Sequence, residues 1–165
     1  MTFQLANAVF KVTLNPEKGT FSIATEDQNL PNIQNAHLML DYKLRGIGYV
    51  HPLKGWVLAE PQPKKSAWPE QGDIEVLTFD VPADQNEVAC RVQFGILQEY
   101  PLVVWKVYVT NQGKKPIEMQ AIGLLELNPE LGGKVVWTED RPQKDLGFFS
   151  NGWQSWSPSQ WYAAD

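Results

Sequence analysis

Apolar and polar residues alternate through most of this 165-residue chain, and this period of two constrains its fold more than any other feature. From Leu38 to Arg45, apolar side chains occupy every second position, and largely polar ones lie between them. Such alternation places the apolar set on one face of a half-buried strand. In Leu102–Thr110 the odd-numbered residues likewise share an apolar face, and helical spacing is hard to find. The pattern predicts an all-β chain with little or no helix.

Turn sequences divide the chain into short strands. Asn15-Pro16-Glu17-Lys18-Gly19 predicts a turn, because proline presets φ and glycine accepts a positive φ. The predicted strands are Phe3–Leu14, Thr20–Thr25, Leu38–Arg45, Asp73–Val81, Glu87–Leu97, Leu102–Thr110, Ile117–Leu127 and Lys134–Thr138. The proline-rich stretch Glu60–Gly72 predicts an exposed loop, since prolines lack the donors that a central strand requires. Short strands with regular turns favour a mainly antiparallel sandwich or barrel, here assigned to residues 1–150.

Charge and end sequences exclude several classes of partner. Fourteen Lys and Arg against nineteen Asp and Glu give a formal charge of −5, so we expect no nucleic-acid partner and no anionic membrane surface. No run reaches the roughly eighteen apolar residues of a membrane helix. The N-terminus lacks a secretory signal, and the single cysteine, Cys90, is interpreted as a buried hydrophobe. These features predict a cytoplasmic protein.

Residues for metal or acid–base chemistry are sparse. His37 and His51 are the only histidines, and their spacing favours no zinc site, so no metal and no cofactor are expected. Glu139, Asp140 and Asp145 cluster near the tryptophans, where two carboxylates could form the pair that glycoside hydrolysis needs. An acidic loop between strands is more often simply solvated, so we predict no catalytic residue in this chain.

The last part of the chain holds the most informative residues. Three of the seven tryptophans lie between residues 153 and 161, among glutamine, serine and asparagine. Indole faces stack on the apolar face of a pyranose, and amides and hydroxyls bind its hydroxyl groups. On an extended backbone, Trp153 and Ser155 would face one way and Gln154 and Trp156 the other. The same aromatic residues could instead form core or an interface with another domain, so residue chemistry leaves both interpretations open.

The segment Asn151-Gly152-Trp153-Gln154-Ser155-Trp156-Ser157 resembles a motif in the N-terminal β domain of microbial α-galactosidases of the melibiase and raffinose-synthase type. Residues 107–113 with Pro116-Ile117 are similar to the strand, turn and strand of that family's β-supersandwich. The resemblance implies a supersandwich domain packed on a catalytic β/α barrel, whose two aspartates carry out a retaining double displacement. The barrel motifs are absent from these residues, so no acid here inherits the catalytic role.

The resemblance also implies a binding role for the tryptophan-rich segment. Trp156 would reach the galactose pocket, and Trp153, Gln154 and Ser155 would position it. Asn151 completes the predicted substrate-binding set. Residues 151–165 would continue into further β structure and the barrel. Galactosides would then be bound through the parent enzyme, whose barrel is this domain's partner in the same polypeptide, and the parent could be a homo-oligomer. The chain by itself is expected to be inactive.

Two other functions remain open on the sequence. An independent carbohydrate-binding module would use the same aromatic platform without a barrel. A purely structural β-sandwich would instead present an exposed aromatic patch to a protein partner.

Overall fold

The computed structural model describes residues 1–27, 30–60, 63–68, 72–137, 147–150 and 160–163. Within them the chain forms fourteen strands and one turn of 3-10 helix, Pro129–Leu131, but no α-helix. The strands are β1 (Phe3–Ala6), β2 (Phe10–Asn15), β3 (Thr20–Thr25), β4 (Asn32–Leu44), β5 (Ile47–Pro52), β6 (Val57–Leu58), β7 (Lys64–Trp68), β8 (Gly72–Val81), β9 (Val88–Leu97), β10 (Val103–Asn111), β11 (Ile117–Glu126), β12 (Lys134–Val136), β13 (Gly147–Ser150) and β14 (Gln160–Ala163).

Two antiparallel sheets pack against each other, which confirms the predicted all-β sandwich. The first sheet has the order β1-β2-β3-β4-β11, and β5 and β12 also pair with β4. The second has the order β10-β9-β8-β6, and β7 pairs with β8. A separate pair joins β13 to β14. Most neighbours are consecutive in the chain, so hairpins build most of the structure.

Alternating side chains of the central strands build the core. On β4, Ala36, Leu38, Leu40 and Tyr42 are fully buried, whereas the residues between them are only partly buried. On β9, the even-numbered residues from Val88 to Ile96 face the same core. Each strand therefore buries one face in the sandwich and presents the other outward, as the period of two predicts.

An aromatic cluster fills the centre of the sandwich. The rings of Phe21 and Trp56 both pack on Phe94, with ring centroids 5.2 and 5.3 Å away, and Trp56 also contacts Phe79. The Trp56 indole donates to the Leu53 carbonyl at 2.8 Å, which satisfies its buried N–H. Trp56, which lies beside the predicted proline-rich loop, is thus a core residue.

The predicted first strand and the predicted proline-rich loop were wrong in detail. The predicted strand Phe3–Leu14 is divided, because the Asn7 side chain accepts from the backbone N–H groups of Val9 and Phe10 and turns the chain. Within the predicted loop Glu60–Gly72, residues Lys64–Trp68 pair with β8. A strand at the edge of a sheet tolerates nearby prolines, because only one of its sides must offer donors.

The turn between β2 and β3 forms as its sequence predicts. The Asn15 side chain accepts from the Lys18 N–H at 3.2 Å, and Gly19 takes a φ of 68°. A Cβ on Gly19 would lie 2.3 Å from the Leu53 carbonyl oxygen, so the segment before Trp56 packs directly on this turn. Glycine is required here by both its backbone angle and the close approach.

One edge of the sandwich leaves inward-facing apolar side chains uncovered. In the described part of the chain, β10 pairs with β9 alone and β11 with β4 alone. Met119 lies opposite Tyr42 and Ile122 opposite Leu40, so both point to the core side of the first sheet. They are nevertheless 37% and 43% exposed. We call the inner faces of β10 and β11 the open edge.

Candidate functional site

The five predicted sugar-binding residues lie outside the described residues. The strands on either side of them, β13 and β14, pair with Ser150 opposite Gln160. The nine residues 151–159 therefore connect two hydrogen-bonded strands whose ends are close together. Most hairpin connections have two to five residues, so this connection is longer than usual. The acidic residues Glu139, Asp140 and Asp145 also lie outside the described residues.

A second candidate site lies on the outer face of β8, β9 and β10, where strand register aligns side chains in rows. Val76, Gly95 and Val104 form one row across the three strands, and Thr78, Gln93 and Lys106 form the next. Asp80, Arg91 and Tyr108 form a third. The face thus changes from apolar to polar to charged over three adjacent rows.

Hydrogen bonds connect these rows. The Gln93 amide donates to the Thr78 hydroxyl at 3.3 Å, and the Tyr108 hydroxyl donates to the Gln93 carbonyl oxygen at 3.3 Å. Arg91 holds Asp80 through Nε and a terminal nitrogen, at 2.7 and 3.2 Å. Bonding to Asp80 raises the pKa of Arg91 above its ordinary value. Both side chains of this ion pair are about half exposed, so its stabilising effect is small.

The apolar end of this face is buried rather than exposed to solvent. Ile74 and Leu97 point outward, opposite each other, yet each is only 1% exposed, and both are separate from the main core. A Cβ on Gly95 would lie 2.7 Å from Ile74 Cδ1 and 3.1 Å from Val104 Cγ2, so these two side chains meet above the glycine. Beside Ile74, the half-buried side chains of Val76 and Val104 form the floor of a cavity of about 210 Å³.

The rim of this cavity is polar. Thr78 and Gln93 contribute a hydroxyl and an amide, and Glu60, Lys64 and Lys106 contribute charges of both signs. Glu60 and Lys64 are exposed, whereas Thr78 and Gln93 are half-buried. We call this cavity, with its floor and rim, the outer-face groove.

A third cluster joins Tyr42 to the loop between β8 and β9. The buried Tyr42 hydroxyl donates to Asp84 Oδ2 and accepts from the Asn86 amide at 2.8 Å. Asp84 Oδ1 also accepts from the backbone N–H groups of Asn86 and Val88, at 2.9 and 3.0 Å. The cluster ties this loop to the first sheet, which is a structural rather than a chemical role.

This cluster shifts the pKa of both partners. Burial, together with the bond to Asp84, raises the pKa of Tyr42 to about 12. Burial raises the pKa of Asp84, but hydrogen bonds from Tyr42, Val88 and Asn86 outweigh it and hold that pKa below its usual value. The phenol is therefore neutral and the carboxylate ionised at neutral pH.

The remaining reactive groups offer no site within the described residues. Cys90 is 5% exposed, and burial, with a smaller contribution from Asp84, raises the pKa of its thiol to about 11, which disfavours a nucleophilic thiolate. His37 Nδ1 and His51 Nε2 are buried with no hydrogen-bond partner among these residues. No three metal-ligating side chains cluster in this part of the chain.

Sequence reasoning missed the outer-face groove, although a signal for it was present. The strands β8, β9 and β10 follow one another, so two hairpin registers suffice to align Thr78, Gln93 and Lys106. The prediction covered the strands themselves and did not consider which polar side chains share their outer face. The burial of Ile74 on that face is a tertiary effect that alternation cannot predict.

Among the described residues, no helix is long and apolar enough to cross a membrane. Comparison of this chain with protein-family models, curated proteins and solved structures finds no match.

Proposed function

We propose that this chain is the non-catalytic N-terminal domain of an α-galactosidase-like glycoside hydrolase. In this proposal it supports a catalytic barrel of the same polypeptide and contributes Trp156 to the sugar site. The main support is that the motif resembling the galactosidase family falls within residues 151–159, between two paired strands that follow a β-sandwich. An all-β sandwich is also the fold that the resemblance implies.

The open edge supports a scaffolding role. Met119 and Ile122 extend the apolar core face of the first sheet beyond the part that the second sheet covers. Half-buried Trp105 and Val107 extend the core face of the second sheet in the same way. Exposed apolar surface of this kind commonly marks an interface with another domain. In this proposal the barrel domain covers it.

Two substitutions on the first sheet test the scaffolding role. Ile122→Asp places a charge on the open edge, whereas Val50→Asp places the same charge at a 63% exposed position on the outer face of that sheet. In the full-length polypeptide, we expect Ile122→Asp to lower the melting temperature of the assembled enzyme and Val50→Asp to leave it unchanged. Both variants should melt alike in the 165-residue chain. If the two variants melt at the same temperature in the full-length polypeptide, the open edge is not the surface on which the barrel domain docks.

The chain's expected lack of activity is tested with a chromogenic α-galactoside. The 165-residue chain should give no turnover, because the proposal places both catalytic aspartates in the barrel. Turnover that is abolished by Asp140→Asn or Asp145→Asn would instead place a catalytic carboxylate in this chain and overturn the proposal.

An independent carbohydrate-binding module is the second candidate function, and the outer-face groove favours it. The groove places an amide and a hydroxyl beside an apolar floor, a combination suited to a sugar ring. A module binds sugar in the groove of the isolated chain, whereas the domain of the first proposal binds sugar through Trp156 only when its barrel completes that site.

A further inference from the structure

The outer-face groove is a preformed cavity on the face of β8, β9 and β10 that points away from the sandwich core. Its floor is made by the half-buried Val76 and Val104 on either side of Gly95, and its rim carries Thr78 and Gln93. We propose that this groove binds one ring of a neutral saccharide. The proposal stands independently of any role for Trp156.

The size of the groove limits its ligand. Its volume of about 210 Å³ is below the roughly 300–1,000 Å³ of sites for drug-sized molecules, so it suits a single small ring. A nucleotide or a folded peptide would extend well beyond it. The ligand would therefore be a monosaccharide or one ring of a longer sugar.

The chemistry of the lining favours a sugar over other small rings. A pyranose has an apolar C–H face and a hydroxyl-rich edge, which match the Val76–Val104 floor and the polar rim. Gln93 offers both a donor and an acceptor, and the Thr78 hydroxyl offers the same. These two side chains are already joined at 3.3 Å, so little ordering is needed when a ligand binds.

The charges of the rim favour a neutral ligand. Glu60, Lys64 and Lys106 provide a hydrogen-bond acceptor and donors for hydroxyl groups. A carboxylate on the sugar would approach Glu60 as well as the lysines. An uncharged ring uses all of these groups without like-charge repulsion.

The test is a titration of the ¹⁵N-labelled 165-residue chain with galactose, glucose, melibiose and galacturonate, followed by amide chemical shifts. We expect at least one neutral sugar to shift the amides of Thr78, Gln93 and Val104, with a dissociation constant of roughly a few millimolar for so small a ligand. Mapping the shifts in the unmodified chain requires no variant to fold.

Variants locate the binding. Gln93→Leu and Thr78→Val each remove hydrogen-bonding groups from the rim and should weaken binding about fivefold. Thr110→Val is the matched control, because Thr110 is exposed on the same face of β10 outside the groove. It should leave affinity unchanged.

Each other outcome overturns the proposal. If no sugar shifts any amide at about 50 mM, roughly ten times the expected dissociation constant, the groove is not a sugar site. Shifts confined to residues 151–159 and insensitive to Gln93→Leu would place sugar binding at the tryptophan segment instead. Binding of galacturonate alone would contradict a neutral ligand.

Discussion

Replacing Tyr42 by phenylalanine removes one oxygen atom from the cluster that ties the β8–β9 loop to the first sheet. The ring itself is fully buried and would keep its packing, including a stacked contact with Tyr49 at 5.6 Å between centroids. What is lost is the hydrogen bond to Asp84 and the acceptor for the Asn86 amide. The change therefore isolates the polar contribution of this cluster.

The size of the effect follows from these two bonds. A hydrogen bond to a charged acceptor contributes about 1.5–3 kcal/mol, and a neutral one contributes about 1 kcal/mol. Asp84 retains the N–H groups of Asn86 and Val88, so its carboxylate is not left without partners. We expect Tyr42→Phe to lower the free energy of unfolding by about 2–3 kcal/mol. For a chain of this size, the melting temperature would fall by roughly 5–10 °C.

The pH dependence gives a second, independent readout. The folded-state pKa of Asp84 is lowered, so its contribution is present above its unfolded pKa near 4 and is lost as the pH falls through the folded value. The folded-state pKa of Tyr42 is raised to about 12 from 10.0, so its contribution is complete below pH 10 and is lost toward pH 12. In Tyr42→Phe, the free energy of unfolding should therefore depend less on pH in both the acid and the alkaline range.

Urea unfolding monitored by circular dichroism, from pH 3 to 11, measures both effects. Tyr49→Phe is the matched control, because it removes the same atom from the adjacent ring and leaves the bond to Asp84 intact. If Tyr42→Phe changes stability by no more than Tyr49→Phe at neutral pH, the cluster does not stabilise the loop. If the free energy of unfolding of Tyr42→Phe depends on pH as that of the unmodified chain does, in both the acid and the alkaline range, the pKa shifts assigned to Asp84 and Tyr42 are wrong.

Three further predictions concern the core and the first turn. Trp56→Ala should lower the free energy of unfolding in urea by about 3–5 kcal/mol, because its ring fills the aromatic cluster. The control Tyr100→Ala, at a 50% exposed position, should change that free energy by no more than about 0.5 kcal/mol. Equal losses in the two variants would contradict the core position of Trp56. Gly19→Ala should cost about 2 kcal/mol or more, because a Cβ would meet the Leu53 carbonyl at a positive φ, and a neutral effect would argue against that packing. Cys90 should react with a thiol reagent at pH 8 only as fast as the chain opens, so rapid labelling of the folded protein would refute its burial and raised pKa.

The hairpin-linked strands were predictable from the sequence because alternation and turn chemistry are local. Thr20–Thr25 has the predicted bounds, and β8, β9 and β10 differ from prediction by a residue or so at each end. The sequence did not predict the break between β1 and β2, because this break depends on the backbone N–H groups that the Asn7 side chain accepts from. The first part of β4 was missed as well, since Asn32–Gln34 is ordered by pairing with the distant strand β12.

Tertiary position was harder to predict than strand content. Trp56 follows Gly55 in an irregular stretch, and nothing local indicates that its ring reaches Phe79 and Phe94. The outer-face groove likewise depends on Ile74 being covered on a face that alternation assigns to solvent. The predicted sugar-binding set around Trp156 rests on a motif alone and stays a prediction.

The proposed function is tested most directly by the kinetics of Trp156→Ala in the full-length polypeptide. Loss of an aromatic contact to the sugar, about 1.4 kcal/mol or more, would lower kcat/KM for an α-galactoside at least tenfold. The melting temperature would stay close to that of the unmodified enzyme. A variant that loses stability but keeps its kcat/KM per folded molecule would contradict sugar contact and make Trp156 a packing residue.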